Sequence, residues 1–189
     1  SQLLERRLLV WGSISFHWGI TIILAGHLVA ILIPQSIVLW NAQPLRLYLL
    51  ELTGIALGLW ATAGLLILIW RRVTVARVRV VSTPMDYVAL ALLLVSLVTG
   101  LIIATVYRWG SYWFTGIFTP YIWGILTFRP DASAIAPLPF TIKLHVVNFF
   151  LLAVAFAFSR LVHIITWPVG YLLRPWQIAI ALRSARVQD

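Results

Sequence analysis

At 189 residues, with 62% hydrophobic and 10% charged side chains and a mean hydropathy of +0.99, the chain has too little polar surface to clothe a soluble globule, which leaves an integral membrane protein. The net charge of +9 does not signal nucleic acid, because the 14 basic residues stand mostly between apolar runs; they read as topology signals and contacts with membrane lipid. The absence of cysteine excludes a cysteine-ligated iron–sulfur cluster, a c-type haem and a disulfide, so any redox centre has to be non-covalent and histidine-bound.

The chain opens on Ser1 rather than Met, a start that reads as processed or truncated, and its first residues, SQLLERR, place Arg6 and Arg7 on a membrane face. The first predicted helix covers residues 8–33 and ends before Pro34, which cannot continue it. It holds His17 and His27, roughly 15 Å apart along the axis and about 80° apart around it. Gly19 and Gly26 flank them, either to let a flat macrocycle approach the backbone or as ordinary small-residue helix packing. Residues 35–44 read as a connecting loop with Trp40 at the interface. A second helix, residues 45–70, has no histidine; Gly54, Gly58, Ala61 and Gly64 give it a narrow face for close packing. Glu51 stands within this apolar run, and reads either as a functional intramembrane carboxylate or as an interfacial one paired with Arg46 or a backbone group.

Residues 71–84 form a basic loop, with Arg71, Arg72, Arg77 and Arg79, before Thr83 and Pro84 cap a third helix, residues 85–107. Asp86 in its first turn complements the helix dipole. Residues 108–139 carry several aromatics over a short helix and read as lying in the interface; a fifth span is excluded because Arg108 and Arg129 bracket a stretch interrupted by Pro120 and glycines. The last predicted helix, residues 140–167, holds His145 and His163 about five turns and 27 Å apart on one face. Residues 168–189 form a basic surface tail. Counting Arg6, Arg7, Arg71, Arg72, Arg77, Arg79, Arg174, Arg183 and Arg186 against Arg46, Arg108, Arg129 and Lys143 puts the N-terminus, the basic loop and the tail in the cytoplasm.

With that orientation the two histidine-bearing helices run in opposite directions, so His17 and His163 come level near the cytoplasmic face, and His27 and His145 near the outer face. Two pairs of imidazoles at two depths suit two six-coordinate haems stacked as an electron wire. A zinc or copper site wants three or four ligands at one depth and fits less well, and helix–helix hydrogen bonding is the structural alternative. The axial spacings of the two helices disagree. Arg160, one turn before His163, is placed to meet a haem propionate, whereas Lys143 reads as snorkelling to headgroups.

The segments FHWGITIILAGH (residues 16–27), RVRVVSTPMD (residues 77–86) and KLHVVNFFLLAVAFAFSRLVHIITWPVGYL (residues 143–172) resemble the gamma subunit of respiratory nitrate reductase, a membrane cytochrome b, and the likeness covers nearly the whole chain. The resemblance implies an all-α integral membrane protein, one domain over residues 1–189, with four transmembrane helices here where the family normally has five, binding two haem b. It implies that His17 and His163 ligate the proximal haem iron, and His27 and His145 the distal one. It further implies oxidation of quinol, menaquinol or ubiquinol, near the outer face of the cytoplasmic (inner) membrane, with electrons passed to an iron–sulfur beta subunit and a molybdenum-cofactor alpha subunit that reduces nitrate. Arg46, with Gly26 beside His27, matches the family's basic quinol-site residue, usually lysine, and Glu51 is placed to accept a quinol proton. A cytochrome b of a nitrite-oxidising molybdenum enzyme or of a heterodisulfide- or sulfite-reductase-type complex uses the same wire; a non-redox membrane scaffold or transporter is the reading outside redox chemistry.

Overall fold

The structure, a computed structural model, describes residues 2–162. Among the described residues, four helices are long and apolar enough to cross a membrane: α1 (Gln2–Leu32), α3 (Pro44–Thr74), α5 (Pro84–Val106) and α8 (Phe140–Phe158). Between them lie α2 (Pro34–Asn41), α4 (Ala76–Val80), α6 (Gly110–Trp113), a π-helical segment (Phe114–Phe118) and α7 (Thr119–Leu126), with a 3-10 turn (Arg160–Val162) after α8. No strand occurs among the described residues. Only 17–22% of each span is buried, so most of its apolar surface faces outward, as a lipid solvent requires.

The long helices pack in chain order, α1 on α3, α3 on α5 and α5 on α8, without comparable packing of α1 on α8. The bundle is therefore open between the two helices that carry histidines. Small residues set the α1–α3 approach. A Cβ on Gly64 would fall 2.5 Å from the Phe16 nitrogen and 2.8 Å from the Gly12 carbonyl, and one on Gly19 would fall 2.8 Å from Ala61 Cβ. Phe16, Ala61, Leu65 and Leu97 form the core these contacts enclose. Of the predicted narrow face on α3, Gly58 meets Leu101 of α5, while Gly54 faces open space.

Several elements differ from the sequence expectations. The first helix already runs at Gln2, and the stretch read as a loop after it is helix α2, because Pro34 both stops α1 and supplies a favourable first position for a new helix. The basic loop is shorter than expected: Arg71 and Arg72 lie in the last turn of α3, and Arg77 and Arg79 on α4. The aromatic stretch after α5 is helical from Gly110 to Leu126 in three segments rather than over one short helix. The last span is also shorter: α8 ends at Phe158 rather than reaching residue 167. Ser159 is extended (φ −115°, ψ 170°), and its hydroxyl accepts from the Leu161 N–H at 3.2 Å, which starts the 3-10 turn in place of the next α-helical turn. The 27 Å axial separation expected of an unbroken helix between His145 and His163 therefore does not apply. His163 and the tail over residues 168–189 lie outside the described residues.

Candidate haem and quinol sites

His17 and His27 on α1 and His145 on α8 share one local design. Nδ1 of His17 lies 2.8 Å from the Ser13 carbonyl, and Nδ1 of His27 lies 2.8 Å from the Ile23 carbonyl. A carbonyl only accepts, so in both rings Nδ1 carries the proton and Nε2 keeps its lone pair. His145 Nδ1 lies 2.8 Å from Thr99 Oγ1, whose own proton goes to the Val95 carbonyl at 2.6 Å. Thr99 is thereby left as the acceptor, and His145 takes the same tautomer. Such a hydrogen bond at the far nitrogen orients an imidazole and raises its basicity towards a metal at the near one. The donor chemistry of these three residues fits haem iron.

The surroundings of the rings fit a flat group as well. Gly26, next to His27, has open space where a side chain would stand, as does Gly116 on the π segment. Gly19, the other glycine beside a histidine, is committed to α3 instead. Gly100 of α5 lies under the His145 ring, where a Cβ would come within 3.3 Å of Cε1. The aromatic segment closes the end at His27: Phe114 stacks edge-on against His27 at 5.0 Å, and Phe118 against Phe149 of α8 at 6.3 Å. Phe118, Ile122, Ile135 and Val146 form a second apolar cluster beneath them.

At the same end, polar groups tie α2, α3 and α6 together. Glu51, half-buried on α3, accepts at Oε1 from both the Ser111 N–H (3.0 Å) and the Ser111 hydroxyl (2.6 Å). Asn41 Nδ2 donates to the same hydroxyl at 2.8 Å, and the Tyr112 hydroxyl donates to the Asn41 carbonyl at 2.7 Å. Of the two interfacial alternatives for Glu51, the partner is thus a backbone group and a serine, not Arg46. The Arg46 guanidinium lies over the Trp40 ring, 5.6 Å from its centre, while Trp40 Nε1 donates to the Arg46 carbonyl at 3.0 Å. A cavity of about 540 Å³ opens between α2 and the aromatic segment, lined by Pro34, Val38, Tyr112, Thr115, Gly116 and Trp123 among others.

The opposite end is held by Asp86, which is buried. It completes a capping box with Thr83, its carboxylate accepting from the Thr83 N–H at 2.9 Å, and pairs with Arg72 at 3.1 Å and Arg160 at 3.5 Å. Arg160 also donates to the Val81 carbonyl at 3.1 Å. The residue expected at a propionate thus joins the end of α8 to the start of α5. Lys143 Nζ donates to the Ala136 carbonyl at 3.2 Å, on the connection between α7 and α8.

Sequence reasoning left several of these partners out. Thr99 and Ser111 went unremarked because a lone hydroxyl in an apolar run is usually bonded to its own helix, and Asp86 was read only as a dipole partner. Asn148 was missed too. It is 2% exposed and donates to the Leu92 carbonyl and Ser96 Oγ, fastening α8 to α5 beside His145. A polar amide in the middle of FTIKLHVVNFF was the signal that could have found it.

Residues 1–182 match the family model described as nitrate reductase gamma subunit. Over 94% of its length the chain is 35% identical to the nitrate reductase gamma chain of Bacillus subtilis, of which it covers 81%. It is 34% identical to the respiratory nitrate reductase 2 gamma chain of Escherichia coli, with 98% of this chain and 82% of that one aligned. A nitrate reductase-like protein of Mycobacterium tuberculosis is 33% identical over 94% of this chain, which corresponds to only 28% of that longer protein.

Proposed function

The chain belongs to the nitrate reductase gamma subunit family, and on that premise we propose that it is a di-haem cytochrome b that oxidises quinol near the outer face of the cytoplasmic membrane. It is a multi-pass membrane subunit of a nitrate reductase complex. In the proposal it delivers electrons inward to an iron–sulfur beta subunit, and nitrate is reduced on a molybdenum-bearing alpha subunit. The N-terminus, the arginines of residues 71–84 and the C-terminus face the cytoplasm.

The observation that carries the reading is the hydrogen bond shared by His17, His27 and His145, each made through Nδ1, on helices flanking the open side of the bundle. His27 and His145 would hold the distal haem b, and His17 with His163 the proximal one. Bis-imidazole haem supplies one-electron transfer without an open coordination position. The protein's own part is to fix each ring, through Ser13, Ile23 and Thr99, and to keep water from the outer end with Phe114, Phe118 and Phe149. Arg46 and the open face of Gly26 suit the polar head of a quinol, and Glu51 accepts a proton as it is oxidised.

The test is the reduced-minus-oxidised optical spectrum of the purified complex, with a pyridine haemochrome count. Two b-type haems per chain, reduced by a quinol analogue and reoxidised by nitrate, are expected. Replacing His27 or His145 removes the outer haem and quinol oxidation together; loss of haem with quinol oxidation intact contradicts the assignment. Two haems that nitrate does not reoxidise move the chain to another terminal acceptor.

A further inference from the structure

At the start of α6 the place of the missing Gly110 side chain is a small gap with two polar side-chain atoms beside it. Ser111 occupies Glu51 Oε1 with two hydrogen bonds, and the other oxygen, Oε2, turns towards Gly110, 3.8 Å from where a Cβ on that glycine would stand. The indole nitrogen of Trp113 approaches the same point to 3.7 Å. Trp113 Nε1 is buried and has no hydrogen-bond partner, an arrangement that costs stability unless something from outside accepts its proton. Trp109, directly before Gly110, is in the left-handed region (φ 66°), with its ring edge-on to Tyr48, one turn before Glu51 on α3. Such strain in a bulky residue persists only where the surroundings enforce it.

The gap therefore presents one donor, Trp113 Nε1–H, and one acceptor, Glu51 Oε2. A hydroxyl that accepts from the first and donates to the second satisfies both, whereas a carbonyl oxygen meets the donor but opposes the carboxylate. We infer that this gap binds a hydroxyl of the quinol head group, with Trp113 and Glu51 as its two contacts and Gly110 as the residue whose missing side chain leaves room for it. The inference rests on the quinol-oxidising reading above and names where that substrate's hydroxyl sits. In the proton step the quinol O–H bond breaks and an O–H bond forms at Glu51 Oε2. The bonding pair stays on the quinol oxygen, whose charge then faces the Trp113 N–H. The arrangement favours the reduced substrate over the quinone.

The test is anaerobic titration of the intact complex with menadiol and with menadione, by calorimetry, on the wild type and three variants. Wild type is expected to bind menadiol more tightly than menadione. Trp113→Phe keeps the ring and its packing and removes only the N–H, so menadiol binding weakens about three- to tenfold, the size of one hydrogen bond. Glu51→Gln weakens menadiol about tenfold and leaves menadione as tight or tighter, because the amide donates to a carbonyl. Gly110→Ala weakens both. Menadiol affinities unchanged in all three variants, in a complex whose wild type binds and oxidises menadiol, overturn the site, reduce the gap to a place for water, and leave the quinol reading standing. A wild-type complex that neither binds nor oxidises menadiol overturns the quinol reading itself. If Glu51→Gln does not assemble, Trp113→Phe decides alone.

Discussion

A histidine meets a metal through whichever nitrogen lacks a proton, and in this chain that choice is made by single hydrogen bonds. At His17 and His27 the acceptor is a carbonyl four residues earlier on the same helix, an arrangement any helical histidine can adopt. At His145 it is Thr99 on a different helix, left as an acceptor because its own proton goes to Val95. Thr99→Val keeps the volume and removes that acceptor, so the haem proposed between His27 and His145 should be retained about 10- to 100-fold less tightly, with the one proposed at His17 unaffected. Haem content per chain after dialysis, with the two centres separated by redox titration, checks this. The glycines divide on the same scale: Gly19 is filled by Ala61, whereas Gly26 is open, so only the second remains available to a ligand.

Between elements, backbone approach and buried charge carry the packing. Gly64 lets α1 lie directly on α3, and Gly64→Val would force the helices apart at a cost of about 1–3 kcal/mol. A lowered midpoint of thermal unfolding in detergent is the expected readout. Asp86 is a second joint. Its carboxylate caps α5, meets Arg72 of α3 and receives Arg160 from beyond α8. Asp86→Ala removes the cap's return bond and leaves Arg72 without this partner, for an expected loss of about 2 kcal/mol. Asp86→Asn keeps the acceptor and should lose less, and comparing the two melts separates capping from charge pairing. Asp86 also explains how the chain after Ser159 is secured: with α-helical bonding given up there, Arg160 is tied to Asp86 and to the Val81 carbonyl.

For the whole molecule the open order α1–α3–α5–α8 is the consequential feature, since it leaves the histidine-bearing helices facing a space rather than each other. Alternation of the four spans also puts α4 and the residues 127–139 connection at opposite ends. The native absence of cysteine makes sidedness directly measurable. A single cysteine at Arg77 should react with a membrane-impermeant maleimide only in inverted vesicles, and one at exposed Ser133 only in intact cells stripped of the outer barrier. The reverse pattern would turn the proposed direction of electron flow around.

Spans and class were legible in the linear chain because each rests on a local property. Membrane helices follow from hydropathy over about 20 residues, the start of α5 from the Thr83–Pro84 pair and proline's preference for a first helical turn, and the four histidines stand out as polar rings in apolar runs. What stayed hidden depended on groups far apart in sequence meeting in space. Ser111 chooses Glu51 from 60 residues away, Thr99 chooses His145 across 46, and Arg160 reaches Val81 across 79. The end of α8 was illegible for a different reason: hydropathy continues through FSRLVHIITW, and only the competition of the Ser159 hydroxyl for a backbone N–H stops the α-helix. Composition and periodicity settle what a segment is, since they act through its own backbone and solvent; which polar groups it meets is settled by helix packing, because those partners are brought together only when the bundle closes.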